Sequence, residues 1–479
     1  MSFDVKAFFR YMANKTLINL ASRRKKDLPM NILLIGNGAR EHALAEALVR
    51  ARPTPHLFAY MKSNNPGIAA LAAKIKIGSY GDLPAIREWA KANDIAFAVI
   101  GPEDPLNNGM VDTLQETGIP SLGPVKSLAR LETSKSFTRN LLAKYGIPGN
   151  PRFGNFSSLA GIETLLDELD SGVVIKPDGL TGGKGVMVQG DHFASRQEAL
   201  AICRKILADH GLVTIEEKLE GEEFSLQCLT DGKTVLTTPP VQDHKRRLND
   251  DQGPNTGGMG SYSCGDHLLP FLERRDIEAG LAITEQVAAA LYRETDVYYR
   301  GVMYGGFMTT RQGVRLLEYN ARFGDPEAMN ILPLLQTDMV ELCQAIMTGT
   351  LADVKLDFAS QATVCKYIVP RGYGLPPDDH NSPLGEEKIE IGPLAGARLY
   401  YSSVDKRADG LHMTASRAVG LVGIADNLGE AEKIAEQAAT GIKGPVAHRS
   451  DIGTATLIEK RVRHMRELRG KQEASDATQ

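Results

Sequence analysis

From Asn31 onward the chain alternates short apolar runs with amphipathic stretches. In "NILLIGNGAREHALAEALVRA", Ile32 to Ile35 form a continuous apolar run, followed by a glycine turn and a helical pattern. An uninterrupted run of this kind predicts a strand covered on both faces of a parallel sheet. "AFAVIGPEDP" and "GIPSLGP" are two more apolar strands ending in Gly-Pro, with the helical "NGMVDTLQETG" between them. The alternation predicts an open-sheet α/β domain over residues 30–133.

The pattern changes after the helical "SLARLETSKSFTRNLLAKYG", which runs into the Pro/Gly-rich junction "IPGNPRF". Two strands, "GVVIKPDG" and "GVMVQG", then a helix and the strand "VTIEEKL", predict a small α+β lid at about residues 150–218. The lid belongs to a second domain, 134–355. That domain continues with a hairpin turning at Asp231-Gly232 and with the paired strands "GVMYGGFMTT" and "GVRLLEYNARFG". "TVCKYIVP", "GARLYYSSV" and "LVGIADNLGEAEKIAEQAATGI" predict a third, mostly β, α+β domain over 356–462. Residues 463–479, ending in "RGKQEASDATQ", read as a disordered tail. The fold class is therefore multidomain, α/β followed by α+β.

Composition narrows the function. The 479 residues suit about three domains. With 42% hydrophobic residues and a net charge of −4, the chain suits a soluble protein without a nucleic-acid surface. No apolar run approaches the ~18 residues of a membrane span. The five cysteines are dispersed and lack metal-ligand spacing, which fits a reducing, cytoplasmic setting. Residues 1–29 are basic and end in Arg23, Arg24, Lys25 and Lys26. An extension upstream of a start at Met30 is the plainer reading of them, and a transit peptide is the alternative.

The candidate chemistry starts in "VVIKPDGLTGGKGVMVQG", residues 173–190. Glycines between two strands let backbone N–H groups turn toward a phosphate, and Lys184 adds a point charge. The stretch is not a P-loop, because Lys184 is followed by Gly185 rather than by a hydroxyl that reaches metal. Lys176 lies inside an apolar run, where a charged head needs a partner. Downstream, Glu318 and Asn320 stand two apart on an apolar strand and so share one face. Oxygen donors in that arrangement suit a Mg²⁺ that bridges substrate phosphates. "GNGAREHA" lacks the third glycine of a dinucleotide fingerprint, with Glu41 in its place, though Gly36 and Gly38 amides suit a monophosphate. "QDHKRRLNDDQGPNTGGMGSYS" has the length and turn chemistry of an active-site loop.

In order, "GAREHA", "GPEDPL", "KPDGLTGGKG", "QDHKR…GPNTGGMG" and "NARFGDPE" resemble the glycinamide ribonucleotide synthetase family of the ATP-grasp superfamily, from about Met30 to residue 460. The resemblance implies a pre-ATP-grasp domain, an ATP-grasp domain with its lid, and a C-terminal domain. It also implies a ligase of purine biosynthesis that uses ATP and Mg²⁺ or Mn²⁺ to join glycine to 5-phosphoribosylamine through glycyl phosphate. Residue by residue, it implies that Lys135 and Lys176 contact the ATP phosphates, with Gly182, Gly183, Lys184 and Gly185 closing over them. Glu217, Lys218 and Leu219 meet the adenine, and Glu223 accepts the ribose hydroxyls. Glu318 and Asn320 hold the metal, and Arg322 neutralises phosphoryl charge. Asp243 and Lys245 help place glycine and the amine. Gly38, Arg40, Glu41, Asn65, Pro66, Gly67, Glu103 and Pro105 bind phosphoribosylamine. A monomer or weak homodimer without nucleic-acid or membrane partners is expected.

Three positions depart from the family pattern: Ala39 replaces a glycine, Lys218 replaces an aromatic residue, and Gly306 stands where a metal ligand is common in related strands. Rival readings are another ATP-grasp carboxylate–amine ligase of purine metabolism and an inactive nucleotide-binding regulator. A dehydrogenase is a third rival, but "PHLFAYMKSNN" lacks the acid it needs for a ribose hydroxyl.

Overall fold

The computed structural model describes residues 29–180, 185–375 and 386–476. Its N-terminal domain is a five-stranded parallel sheet of β1 (Asn31–Ile35), β2 (His56–Met61), β3 (Lys74–Ile77), β4 (Phe97–Ile100) and β5 (Ser121–Leu122). The order is β3-β2-β1-β4-β5, so connections leave β1 on one side and return to β4 on the other. Ile32 to Ile35 are fully buried, as the apolar run requires. In such a sheet, ligands bind beyond the C-terminal ends of the strands where the winding reverses. Here that crevice opens between the loops after β1 and β4.

The lid is an antiparallel sheet of β6 (Phe153–Phe156), β7 (Val173–Pro177), β8 (Met187–Val188) and β9 (Val213–Glu217), backed by the helix Arg196–His210. It has a core of its own, including Ile162, Ile175, Cys203 and Ile215. Beneath it lies a sheet in which β10 (Gly221–Thr230) pairs with β11 (Val235–Thr237) and with β16 (Gly301–Thr310), and β16 with β17 (Gly313–Asn320). The helix Arg274–Thr295 covers its outer face with Ile283, Val287 and Leu291.

Two expectations need correcting. The first concerns the boundary drawn at residue 355. The active-site loop contains β12 (Gln242–Asp243), β13 (Arg246–Leu248), β14 (Gln252–Asn255) and β15 (Gly260–Ser263). β12 pairs with β15, and β15 pairs with β18 (Ala362–Pro370), so this loop is an edge of the C-terminal sheet. β18 pairs in turn with Val419–Ala425. Local patterning detects strands but not partners more than a hundred residues away.

The second concerns the tail. A helix runs from Ala455 to Asp476, well into residues 463–479. Its buried Met465 and Leu468 pack on the main core, and Arg469 pairs with Asp276 at 2.7 Å and Glu273 at 2.8 Å. The segment is polar overall, so low local hydrophobicity hid the few anchors that tertiary packing needs.

Candidate active site

A cavity of about 550 Å³ lies where the three domains meet. Its wall includes Arg40, Glu103, Lys135, Lys176, Asp243, Lys245, Glu318, Asn320 and Arg322, nine of the residues expected from sequence.

The N-terminal domain contributes the crevice between β1 and β4. Glu103 starts the short helix after β4, and its carboxylate lies 3.3 Å from Arg322 Nε and 3.8 Å from Arg40 Nη2. Burial would raise its pKa, but Arg322 and Arg40 override this and hold it well below the usual carboxylate range. Arg322 also donates to Glu132 at 2.9 Å, and Glu132 accepts from the Ala321 amide.

Glu41 packs between Gly36 and Gly101 at the ends of β1 and β4 and is not part of the cavity wall. It is buried, accepting from the Gly38 amide at 2.6 Å and from Arg40 Nε at 2.5 Å, so it caps its own helix, Ala39–Val49. The Gly36 amide donates to the Tyr60 carbonyl. Both glycine amides are therefore committed within the protein, which corrects the expectation that they would hold a monophosphate. Ala39 is the first helical residue, a conformation that accommodates its methyl group.

Asn65, Pro66 and Gly67 are likewise absent from the cavity wall. Asn65 accepts from the Gly67 and Ile68 amides and donates to the Asn37 and Tyr401 carbonyls, so its side chain is fully used. Pro66 opens the helix Pro66–Leu71, and Gly67 lies so close to the His42 ring that a Cβ would sit 2.0 Å from it. Pro105 is buried in the helix Glu103–Asn108.

The opposite side of the cavity is built by the lid and the sheet beneath it. Lys176 projects from β7 and lies 2.8 Å from Glu216 on β9. Arg139, on the helix Lys135–Lys144, grips the same carboxylate with two bonds, of 2.7 and 2.9 Å. Burial would push the Glu216 carboxyl up, but the two cations hold it at about 2. Lys135 donates to the Gly179 carbonyl at 2.8 Å, and burial lowers its pKa. Gly182, Gly183 and Lys184 lie outside the described residues. Gly185 is described, next to the cavity-lining Val186.

The adenine-side expectations fare differently. Glu217 accepts from the Arg152 amide and Nε. Lys218 donates to the Gln189 carbonyl at 2.8 Å, inside the lid. Neither these residues nor Leu219 and Glu223 are part of the cavity wall, although Glu223 lies 3.3 Å from Lys245.

Glu318 and Asn320 share the cavity face of β17, while Tyr319 points away to the Thr284 hydroxyl. Lys245 Nζ lies 3.8 Å from Glu318. Burial opposes ionisation of Glu318, but Lys245, Lys176 and Lys135 together keep its pKa below the ordinary value. An ionised carboxylate beside an amide oxygen fits a hard divalent cation. Among the described residues no group of three or more His, Cys, Asp or Glu forms a metal cluster. A divalent cation held by this pair alone would complete its shell with water and substrate phosphates. Gly306 faces Glu318 across the ladder and offers no further ligand.

Asp243 is half-buried, with its Oδ1 enclosed and without a hydrogen-bond partner among the described residues. Burial, reinforced by Glu327, raises its pKa well above the ordinary value, whereas Glu223 raises that of Lys245. Gly258 of the "GPNTGGMG" turn has φ of +104°, and a Cβ there would meet Asp243 Oδ1 at 2.7 Å.

Sequence reasoning missed Arg139, Glu132, Glu216, Tyr304, Asp325, Glu327 and Arg417, all in the cavity wall. Glu216 had a signal: in "VTIEE" it alternates with the core residues Val213 and Ile215, so it belongs to the opposite face with Thr214. Arg417 had none, since it arrives from the C-terminal domain to donate to the Gly257 and Asp325 carbonyls.

Comparison with known proteins places this arrangement. Residues 30–132 match the N domain of phosphoribosylglycinamide synthetase, and residues 133–328 match its ATP-grasp (A) domain. A phosphoribosylamine–glycine ligase from Methanocaldococcus jannaschii is 48% identical over 451 residues, covering 92% of this chain and all of that protein. The crystal structure of a phosphoribosylamine–glycine ligase from Thermotoga maritima superposes with a TM-score of 0.73 at 25% identity, covering 88% of this chain and all of the other. The biotin carboxylase domain of the Hydrogenobacter thermophilus 2-oxoglutarate carboxylase shares the fold alone, at a TM-score of 0.65 and 16% identity, over 91% of this chain and 93% of its own.

Proposed function

Since the chain belongs to the phosphoribosylglycinamide synthetase family, we propose that it is an ADP-forming ligase joining glycine to 5-phosphoribosylamine in purine biosynthesis. A glycine carboxylate oxygen attacks the γ-phosphorus of ATP, the bond to the β-phosphate oxygen breaks, and glycyl phosphate and ADP form. The ribosylamine nitrogen then attacks the acyl carbon. The bond to phosphate breaks, the nitrogen loses a proton, and glycinamide ribonucleotide and phosphate leave.

The observation that carries this reading is the convergence of the β1–β4 crevice, the lysines opposite it and the Glu318–Asn320 pair on one cavity. In our reading Lys135 and Lys176 hold the nucleotide phosphates, a role that the loop 182–185 extends. Glu217 to Leu219 and Glu223 would meet the base and ribose from the lid's base. Arg322 and Arg40 face the crevice, where anionic groups of the acyl phosphate and the ribosylamine would lie. The buried Asp243 oxygen suits the glycine ammonium, and Lys245 its carboxylate. A divalent cation, which we take to be Mg²⁺ or Mn²⁺, would sit on Glu318 and Asn320 and neutralise developing phosphoryl charge. The chain's own task is to position three reactants and to keep water from an acyl phosphate.

Among the described residues no helix is long and apolar enough to cross a membrane, and the five cysteines are free thiols. Our reading remains a cytoplasmic enzyme, a monomer or weak homodimer, acting on small molecules.

The test is phosphate release from ATP with glycine and freshly formed phosphoribosylamine together, then with each omitted. Release should require both. Turnover with another carboxylate or amine in place of either would favour a different ATP-grasp ligase, and release that needs neither would sink the ligase reading.

A further inference from the structure

Leu317 is the extra residue in the β16–β17 ladder: Gly306 pairs with Glu318 and Phe307 with Leu316, which leaves Leu317 unmatched. Such a bulge takes its carbonyl out of the ladder and re-aims the residues that follow. The carbonyl is not left bare. It accepts from Arg139 Nη2 at 2.7 Å and from Lys176 Nζ at 3.2 Å, and the Leu316 carbonyl accepts from Arg139 Nη1 at 3.0 Å. Both cations also meet at Glu216, whose Oε1 lies 2.7 Å from Arg139 Nε and whose Oε2 lies 2.8 Å from Lys176 Nζ. Glu216, Arg139 and Lys176 are all buried.

We propose that Arg139 and Glu216 form a positioning unit for phosphoryl transfer: they hold Lys176 against the cavity and, through the bulge carbonyls, fix the direction of Glu318 one residue further on. The cluster joins four separate pieces of chain, namely the helix Lys135–Lys144, lid strands β7 and β9, and the strand of the proposed metal pair. A structural ion pair does not account for it, because the bidentate fork of Arg139 already satisfies Glu216. Lys176 is surplus to that pairing, and all three side chains line the cavity. Two cations against one carboxylate leave an excess positive charge in a water-poor wall, and a polyphosphate is the kind of group that balances it.

The inference rests on the nucleotide reading above, and the test separates the two. Arg139→Lys and Glu216→Asp keep each charge but lose the fork or its reach. Both should raise the KM for ATP about tenfold, the scale of one weakened charge-assisted bond. Both should also weaken Mn²⁺ binding, followed by electron paramagnetic resonance in the presence of a non-hydrolysable ATP analogue. The KM values for glycine and phosphoribosylamine should not move. Unchanged nucleotide and Mn²⁺ affinities, with only a lowered melting temperature, would overturn the inference and leave a structural ion pair. If Glu216→Asp does not fold, Arg139→Lys decides alone, since it leaves the Lys176–Glu216 bond in place. A wild-type protein that binds no ATP analogue would instead overturn the functional reading itself.

Discussion

Asn65 and Tyr401 meet across 336 residues of chain: Asn65 Nδ2 donates to the Tyr401 carbonyl at 2.7 Å. The Tyr401 amide donates in turn to His42 Nδ1 at 3.1 Å, and the two rings stack with centroids 5.9 Å apart. Both backbone groups of one C-terminal residue are thus satisfied by side chains of the N-terminal domain. This is a docking contact between domains, made by residues whose motif suggested substrate binding.

Asn65→Ala should therefore act on stability rather than on substrate. It strands the Asn37 and Tyr401 carbonyls and two helix-start amides, a cost of about 1–3 kcal/mol. Thermal unfolding should shift accordingly while the KM for phosphoribosylamine stays constant. A raised KM with an unchanged melting temperature would return Asn65 to the substrate site.

His42 gives the docking contact a pH dependence. Burial lowers its pKa from 6.5 to about 4, so the folded protein keeps the ring neutral where the unfolded chain is already protonated. Between pH 6.5 and 4 the unfolded state binds more protons, and stability falls as the solution is acidified. The full span is worth about 3 kcal/mol as an upper figure. His244, held at about 3 mainly by burial, adds in the same direction. His42→Asn keeps an acceptor for the Tyr401 amide without a titrating ring, so its melting temperature should decline less steeply across that window. Parallel curves for the two proteins would remove His42 from the acid response.

Glu318→Ala removes the charged half of the proposed metal pair. Several kcal/mol of transition-state stabilisation should go with it, a fall in kcat of roughly a hundredfold or more. Circular dichroism should remain native, since Tyr319 and Leu316 anchor the strand from its other face. Near wild-type turnover at limiting Mg²⁺ would show that the cation binds elsewhere.

Arg469→Ala tests the C-terminal helix. Asp276 would lose its cation while staying buried, at a cost of about 1–3 kcal/mol, and catalysis should be untouched because Arg469 does not line the cavity. A melting temperature equal to wild type would mean the helix contributes no anchoring through this pair.

How far the sequence reached depended on whether a signal was local. The run Ile32–Ile35, the Asp231-Gly232 hairpin and the shared face of Glu318 and Asn320 follow from the period of side chains along one strand or turn, and the structure keeps all three. Family motifs added Lys135, Lys176, Arg40 and Glu103, which the cavity brings together. They also added Glu41 and Asn65, whose conspicuous chemistry serves a helix cap and a domain contact. A motif preserves residue identity but does not say which atom a side chain faces. Arg139 on Glu216, Arg417 on Asp325 and the bulge at Leu317 arise only when strands far apart in sequence pair and bury their charges together. Burial is what gives those charges their strength, because partners removed from water interact far more strongly than the same groups on a solvated chain. That environment is a property of the assembled domains and is written in no single stretch of sequence.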